Sequence, residues 1–106
     1  MDNNKLLLEL DKHRREVNKK TINPVVEKVN LETLKPIVTM VAKARAAYLT
    51  DLLELANKHT DTSPSIEQIS QLQTKRKVFE ELVKATNAFE TMIERGYLDI
   101  AGTQTS

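Results

Sequence analysis

Two histidines, three close pairs of carboxylates and one run of basic residues are the groups in this chain with types and spacing suited to chemistry. His13 and His59 lie far apart in sequence. A helical metal pair needs ligands at i and i+4 with a third donor close by, and neither histidine has such neighbours, so no metal site is expected. The helix pattern sets His13 at the border of the core and His59 in the last turn of the second helix. Asp51 with Glu54, Glu80 with Glu81, and Glu90 with Glu94 have the spacing of acid and base partners. Most of these carboxylates have a duller use. Glu54 reaches Lys58, Arg76 reaches Glu80, Lys77 reaches Glu81 and Glu80 reaches Lys84, all as i,i+4 pairs worth ~0.3 kcal/mol each on a helix surface. Glu90 and Glu94 have no cation at helical spacing, but two glutamates without a histidine do not make a di-metal carboxylate site. The sequence has no cysteine, which removes disulfides, thiolate catalysis and cysteine-ligated zinc together. No nucleophile stands beside a base and no glycine loop could cradle a phosphate, so neither catalysis nor a cofactor is expected.

The basic run is the one group that competes with a purely structural reading. Lys12, Arg14, Arg15, Lys19 and Lys20 fall within nine residues of one predicted helix, and such a helix could lie along phosphates. The net charge of +1 conceals the asymmetry behind this: residues 12–45 hold nine Lys or Arg against three Glu, whereas residues 46–106 hold six basic against nine acidic. Two electrically unlike halves could steer a nucleic acid, an acidic protein or a second copy of the chain. Against nucleic acid, there is no helix-turn-helix pattern, and the four aromatics form no stacking platform. Lys75, Arg76 and Lys77 spread over ~200° of helix arc and make no single patch. A solvated basic face accounts for the run equally well.

These residues are positioned by helices. A chain of 106 residues with two Gly, three Pro and 29% charged residues suits one helical domain burying roughly 65% of its unfolded surface. The first helix is predicted from about Asp2 to Lys20, with Leu6, Leu10 and Val17 as its core stripe, Lys12, Arg15 and Lys19 opposite, and Leu8 among the charges as a contact candidate. Asn23 and Pro24 then suggest a cap and a short helical turn through Val29, or else an extended segment. The second helix starts at the N-cap Asn30 with Val29 and Leu34 as a staple, kinking at Pro36 or beginning there. It carries one stripe of Ile37, Val41, Ala44, Tyr48, Leu52 and Leu55, and beside it another of Val38, Ala42, Leu49, Leu53 and Ala56. The third helix is capped by Ser63 before Pro64, or by Ser65 with Gln68. Its stripe runs through Ile66, Ile69, Leu72, Val78, Phe79, Leu82, Val83, Ala85, Thr86, Phe89, Met92 and Ile93, interrupted at Lys75–Lys77. Gly96 ends it in a Schellman arrangement with Tyr97 and Met92.

Helices of equal length joined by the break at residues 60–65 predict an antiparallel hairpin. The expected fold is therefore all-α: this hairpin plus the N-terminal helix in a three-helix bundle over residues 1–101, or completed by dimerisation in coiled-coil fashion, with 102–106 a disordered tail. No apolar run approaches ~18 residues, so neither a signal peptide nor a membrane span is expected, and the cytoplasm is the default location. The function these features suggest is a non-enzymatic protein-protein interaction or oligomerisation module. Leu8, Arg15 and Lys19 of the first helix and Leu98 and Ile100 of the C-terminal arm would contact another protein or a second copy. The alternative is a nucleic-acid-binding accessory protein that uses Lys12, Arg15, Lys19 and Lys20.

Overall fold

The computed structural model of the chain describes residues 2–26 and 29–98. They form three helices, α1 (Asn3–Ile22), α2 (Leu31–Lys58) and α3 (Ile66–Glu94), and among the described residues no other regular structure extends beyond a single bridge position at Val29. Each helix start is closed by its own side chains. Asp2 caps α1 by accepting from the Lys5 amide at 2.8 Å. Asn30 caps α2 by accepting from the Thr33 amide at 2.9 Å while the Thr33 hydroxyl accepts from the Asn30 amide at 3.0 Å. Ser65 and Gln68 make the same reciprocal box for α3, at 3.1 and 2.8 Å, so of the two predicted starts the second is used. At the other end of α3, Gly96 takes a φ of 74° and the Tyr97 and Gly96 amides donate to the carbonyls of Met92 and Ile93. This is the Schellman pattern that the glycine predicts.

Two expected interruptions resolve differently. Pro36 does not start α2: the helix begins at Leu31 and continues past the proline, because the Asn30–Thr33 box secures the first turn ahead of it. Asn23 does not cap a new helix either. It remains in α-helical geometry with its amide on the Lys19 carbonyl, and the Val25 and Val26 amides fold back onto Ile22, so the chain leaves α1 through its own last turn.

Contacts group the chain into two units, Met1–Leu34 with Ala88–Ser106, and Lys35–Asn87. The second unit is the antiparallel hairpin. Along α2 its half-buried positions are Ile37, Val41, Ala44, Tyr48 and Asp51, ending at buried Leu55, and along α3 they include Gln68, Leu72, Lys75, Phe79, Leu82, Val83 and Thr86. Steps of three and four residues mark the seam of a left-handed helix pair. Two cross-seam contacts fix its register. Tyr48 stacks on Phe79 with ring centroids 6.3 Å apart, and Lys75 Nζ lies 3.4 Å from Asp51 Oδ1, both pairs about equidistant from Ser63 in the connecting bend. At the mouth of that bend His59 Nδ1 hydrogen-bonds the Thr62 hydroxyl at 2.8 Å.

The seam corrects the predicted stripes. Asp51, not Leu52, sits in it, and on α3 the first turn contributes Gln68 while Ile66 and Ile69 stay exposed. Lys75 belongs to the seam rather than interrupting it. Strict alternation of three and four residues requires positions 51 and 75, so a charged pair fills one layer of an otherwise apolar row.

In the first unit Val29, Tyr97 and Leu98 are buried. Ile22, Leu34, Phe89, Met92 and Ile93 are half-buried. α1 does not bury its expected stripe: Leu6, Leu10 and Val17 are all exposed, and the half-buried positions are Asp11, Asn18 and Ile22. The helix is oriented from its C-terminal end, where Ile22 turns inward ahead of buried Val29. Asn18 and Asp11, four and eleven residues earlier, share that face by helical periodicity.

Candidate interaction surfaces

The second stripe of α2 is open to solvent. Val38, Leu49, Leu52 and Leu53 are 67, 48, 49 and 65% exposed, and Ala42 and Ala56 between them are exposed as well. At ~100° per residue this stripe lies about a quarter turn from the seam that faces α3. The α3 side chains beside it turn the edge into a groove. One stretch, about 260 Å³, is lined by Val38, Val41, Ala42, Arg45, Val83 and Thr86. A second, about 230 Å³, lies nearer the bend between Tyr48 and Ile69, Leu72 and Arg76. Arg45 does not project freely from this face, because its guanidinium carbon sits 5.0 Å from the Phe79 ring centroid. Stacking there neutralises part of its cost at an apolar edge.

The first unit carries a different surface. A cleft of about 580 Å³ is lined by Leu8, Asp11, Lys12, Arg15, Glu16, Lys19, Arg95 and Gly96. Three of the predicted contact residues, Leu8, Arg15 and Lys19, therefore share one site, and Lys12 of the phosphate-binding alternative joins them. Leu8 is 71% exposed there. Its charge is only partly free, since Asp11 holds Arg15 at 3.0 Å and Arg14 at 3.5 Å. These exposed i,i+4 and i,i+3 pairs are worth a few tenths of a kcal/mol, enough to order the side chains but not to lock them. Lys20 is not among the residues lining the cleft.

Of the C-terminal arm only Tyr97 and Leu98 are described. Leu98 is buried at 5% exposure, as apolar side chains beyond a Schellman turn commonly are. Ile100 and the tail 102–106 lie outside the described residues, as does part of the segment before Val29. Among the described residues no three His, Asp or Glu side chains come together to hold a metal ion, and no helix is long and apolar enough to cross a membrane.

The α2 stripe is visible in the sequence. Two adjoining stripes say that a helix has two neighbours, and they do not say where the second one comes from. A narrower sign was available at Arg45, one turn from Ala42 and Leu49, since a charged residue inside an apolar stripe marks an edge rather than a core. Comparison with protein-family models, with curated proteins and with solved structures finds no match to this chain.

Proposed function

We propose that this chain is a non-enzymatic interaction module that works by presenting the second stripe of α2 to another helical surface. The observation that carries this reading is the row of exposed apolar side chains from Val38 to Ala56, interrupted only by Arg45, which stacks on Phe79. A row of exposed apolar side chains rimmed by polar residues is the kind of surface that marks an interaction site. A helix that needed only α3 as neighbour would carry polar residues at these positions. A three-helix or four-helix arrangement, with the groove covered, follows as the working form of the protein.

The test is a variant with Leu52→Asp and Leu53→Asp. Both positions are exposed in the free hairpin, so helix content and unfolding midpoint should match those of the wild type measured at a concentration where it is dissociated. Assembly, read as mass by light scattering and as specific recovery with a tagged chain, should be lost. Identical assembly by variant and wild type would remove α2 from the account.

A second reading draws on the cleft that gathers Lys12, Arg15, Lys19 and Arg95, as a site for nucleic-acid phosphates. Asp11 and Glu16 in the same cleft weaken it. If it holds, affinity falls steeply with salt through counterion release, and Arg15→Glu with Lys19→Glu abolishes binding. Binding that persists in that variant, or that ignores salt, rules the cleft out.

A further inference from the structure

We infer that the occupant of the α2 stripe is a second copy of this chain, packed antiparallel about a two-fold axis that passes near Ala47; this rests on the interaction reading above and names its partner. Val38, Ala42, Arg45, Leu49, Leu52 and Ala56 follow one another at steps of four, three, four, three and four residues. The series reads the same in both directions, so a second α2 running the opposite way meets it in register along its whole length. Residue types then match in size. Val38 stands opposite Ala56 of the second copy, and Ala42 opposite Leu52. Arg45, drawn back over Phe79, offers its aliphatic stem to Leu49.

A parallel pairing of the same stripes fails on two counts. It would set Arg45 against Arg45, and it would stack Leu on Leu and Ala on Ala, which leaves alternate crowding and voids. The antiparallel arrangement also fills the groove. Opposite Ala42 in the stretch lined by Val38, Val41, Ala42 and Val83, Leu52 of the second copy supplies the missing side chain, with Leu53 at its edge. No Asp or Glu interrupts the stripe, so like-signed carboxylates do not oppose the approach.

The area is sufficient. Val38 to Ala56 spans ~27 Å at ~1.5 Å per residue, and a face two helices wide is about 20 Å across. Two such faces cover on the order of 1,000 Å² in total, the lower edge of specific interfaces. The product is a four-helix arrangement of two hairpins, each α2 lying on the other and in the groove beside α3.

The experiment uses the full chain, whose lack of cysteine lets single cysteines report geometry. Val38→Cys and Ala56→Cys are prepared separately, mixed and oxidised, and sedimentation is followed over a wide concentration range. The inference expects a concentration-dependent dimer and a disulfide between the two different variants. It also expects no disulfide when Val38→Cys is oxidised alone, because its two copies would lie about 27 Å apart by the same rise. Leu52→Asp, which enters the interface twice per dimer, should weaken association about 100-fold or more. A dimer in which Val38→Cys links to itself overturns the antiparallel seam while leaving the interaction reading in place. A chain that stays monomeric to about 1 mM, well beyond what an interface of this size should need, overturns the second copy as occupant, including the case in which α1 or another protein fills the groove. The interaction reading is then decided separately, by whether Leu52→Asp with Leu53→Asp changes recovery of any other protein.

Discussion

Replacing Lys75 by leucine should destabilise the hairpin although it puts an apolar residue into an apolar row. The reason is the unequal burial of the pair it belongs to. Asp51 is 13% exposed and Lys75 42% exposed across their 3.4 Å contact, and the second carboxylate oxygen of Asp51 is buried without a hydrogen-bond partner. Lys75→Leu leaves that carboxylate in the seam with neither oxygen paired to a cation, a loss of about 1–3 kcal/mol, only partly offset by the added leucine. Asp51→Leu is the converse case. The ammonium it frees can turn into water, since Lys75 is already part-exposed, and the new leucine packs between Tyr48 and Leu55 for a gain of about 1 kcal/mol. The double leucine variant should be the most stable, by about 1–3 kcal/mol over wild type, as when buried ion pairs elsewhere give way to packed side chains. For a chain of this size each kcal/mol moves the melting temperature by roughly 4–8 °C. Urea unfolding followed by circular dichroism, at matched assembly state and with unchanged slope, gives the four corners of a double-mutant cycle. If Lys75→Leu proves as stabilising as Asp51→Leu, Asp51 is not held in the seam and the register built on it is wrong.

The helix starts should each respond to loss of a single side chain: Asn30→Ala and Ser65→Ala should cost about 1 kcal/mol apiece by the same unfolding measurement, with unchanged slope. Wild-type stability in either would show that its box contributes nothing. Gly96→Ala should cost about 1–2 kcal/mol through the left-handed backbone alone, since a Cβ there meets nothing within 4 Å; a larger loss would point to a clash that the geometry does not contain. Phe79→Ala removes the ring that both Tyr48 and Arg45 contact and should cost about 3–5 kcal/mol. A loss below about 1 kcal/mol would mean that the aromatic layer is not a packing centre of the hairpin.

Helix existence and ends were the most legible features of this chain because their causes are local. Asn30 with Thr33, Ser65 with Gln68, and Gly96 before Tyr97 act over a few residues, so the bonds they make follow from their order in the chain. Facing was less legible. α1 has a clear apolar stripe at Leu6, Leu10 and Val17, yet it turns Asp11, Asn18 and Ile22 inward, because the orientation is set where the helix meets Val29 and not by its own amphipathicity. Asp51 and Lys75 were misplaced for a related reason: hydrophobicity assigns charged residues to the surface, whereas the three-four spacing of the helix pair assigns these two to the seam. Of the candidate site, the cluster of Leu8, Arg15 and Lys19 could be read from helical spacing. Arg95 could not, since it reaches the same cleft from the far end of the chain.

If the exposed stripe of α2 is covered as proposed, the two faces of this helix link folding to assembly. Along one, aliphatic and aromatic side chains meet α3, but a charged layer occupies part of it and Leu55 is the one buried side chain of α2, still 8% exposed. Along the other, Leu49 and Leu52 remain about half in water and Val38 and Leu53 about two thirds. Burying an aliphatic side chain of this size is worth about 1.5–3 kcal/mol, so even partial cover of these four supplies several kcal/mol, comparable with the whole stability of a small domain. An arrangement that strengthened the hairpin internally would have placed those residues in the first seam. On the proposed assembly, their position on the second face ties the stability of α2 to what covers it, so a bound surface would stabilise the fold as it forms the complex. The ion pair between Asp51 and Lys75 sets register inside the core-facing seam at modest stability, and on the proposed assembly the exposed row would leave the larger share of burial to be completed by association.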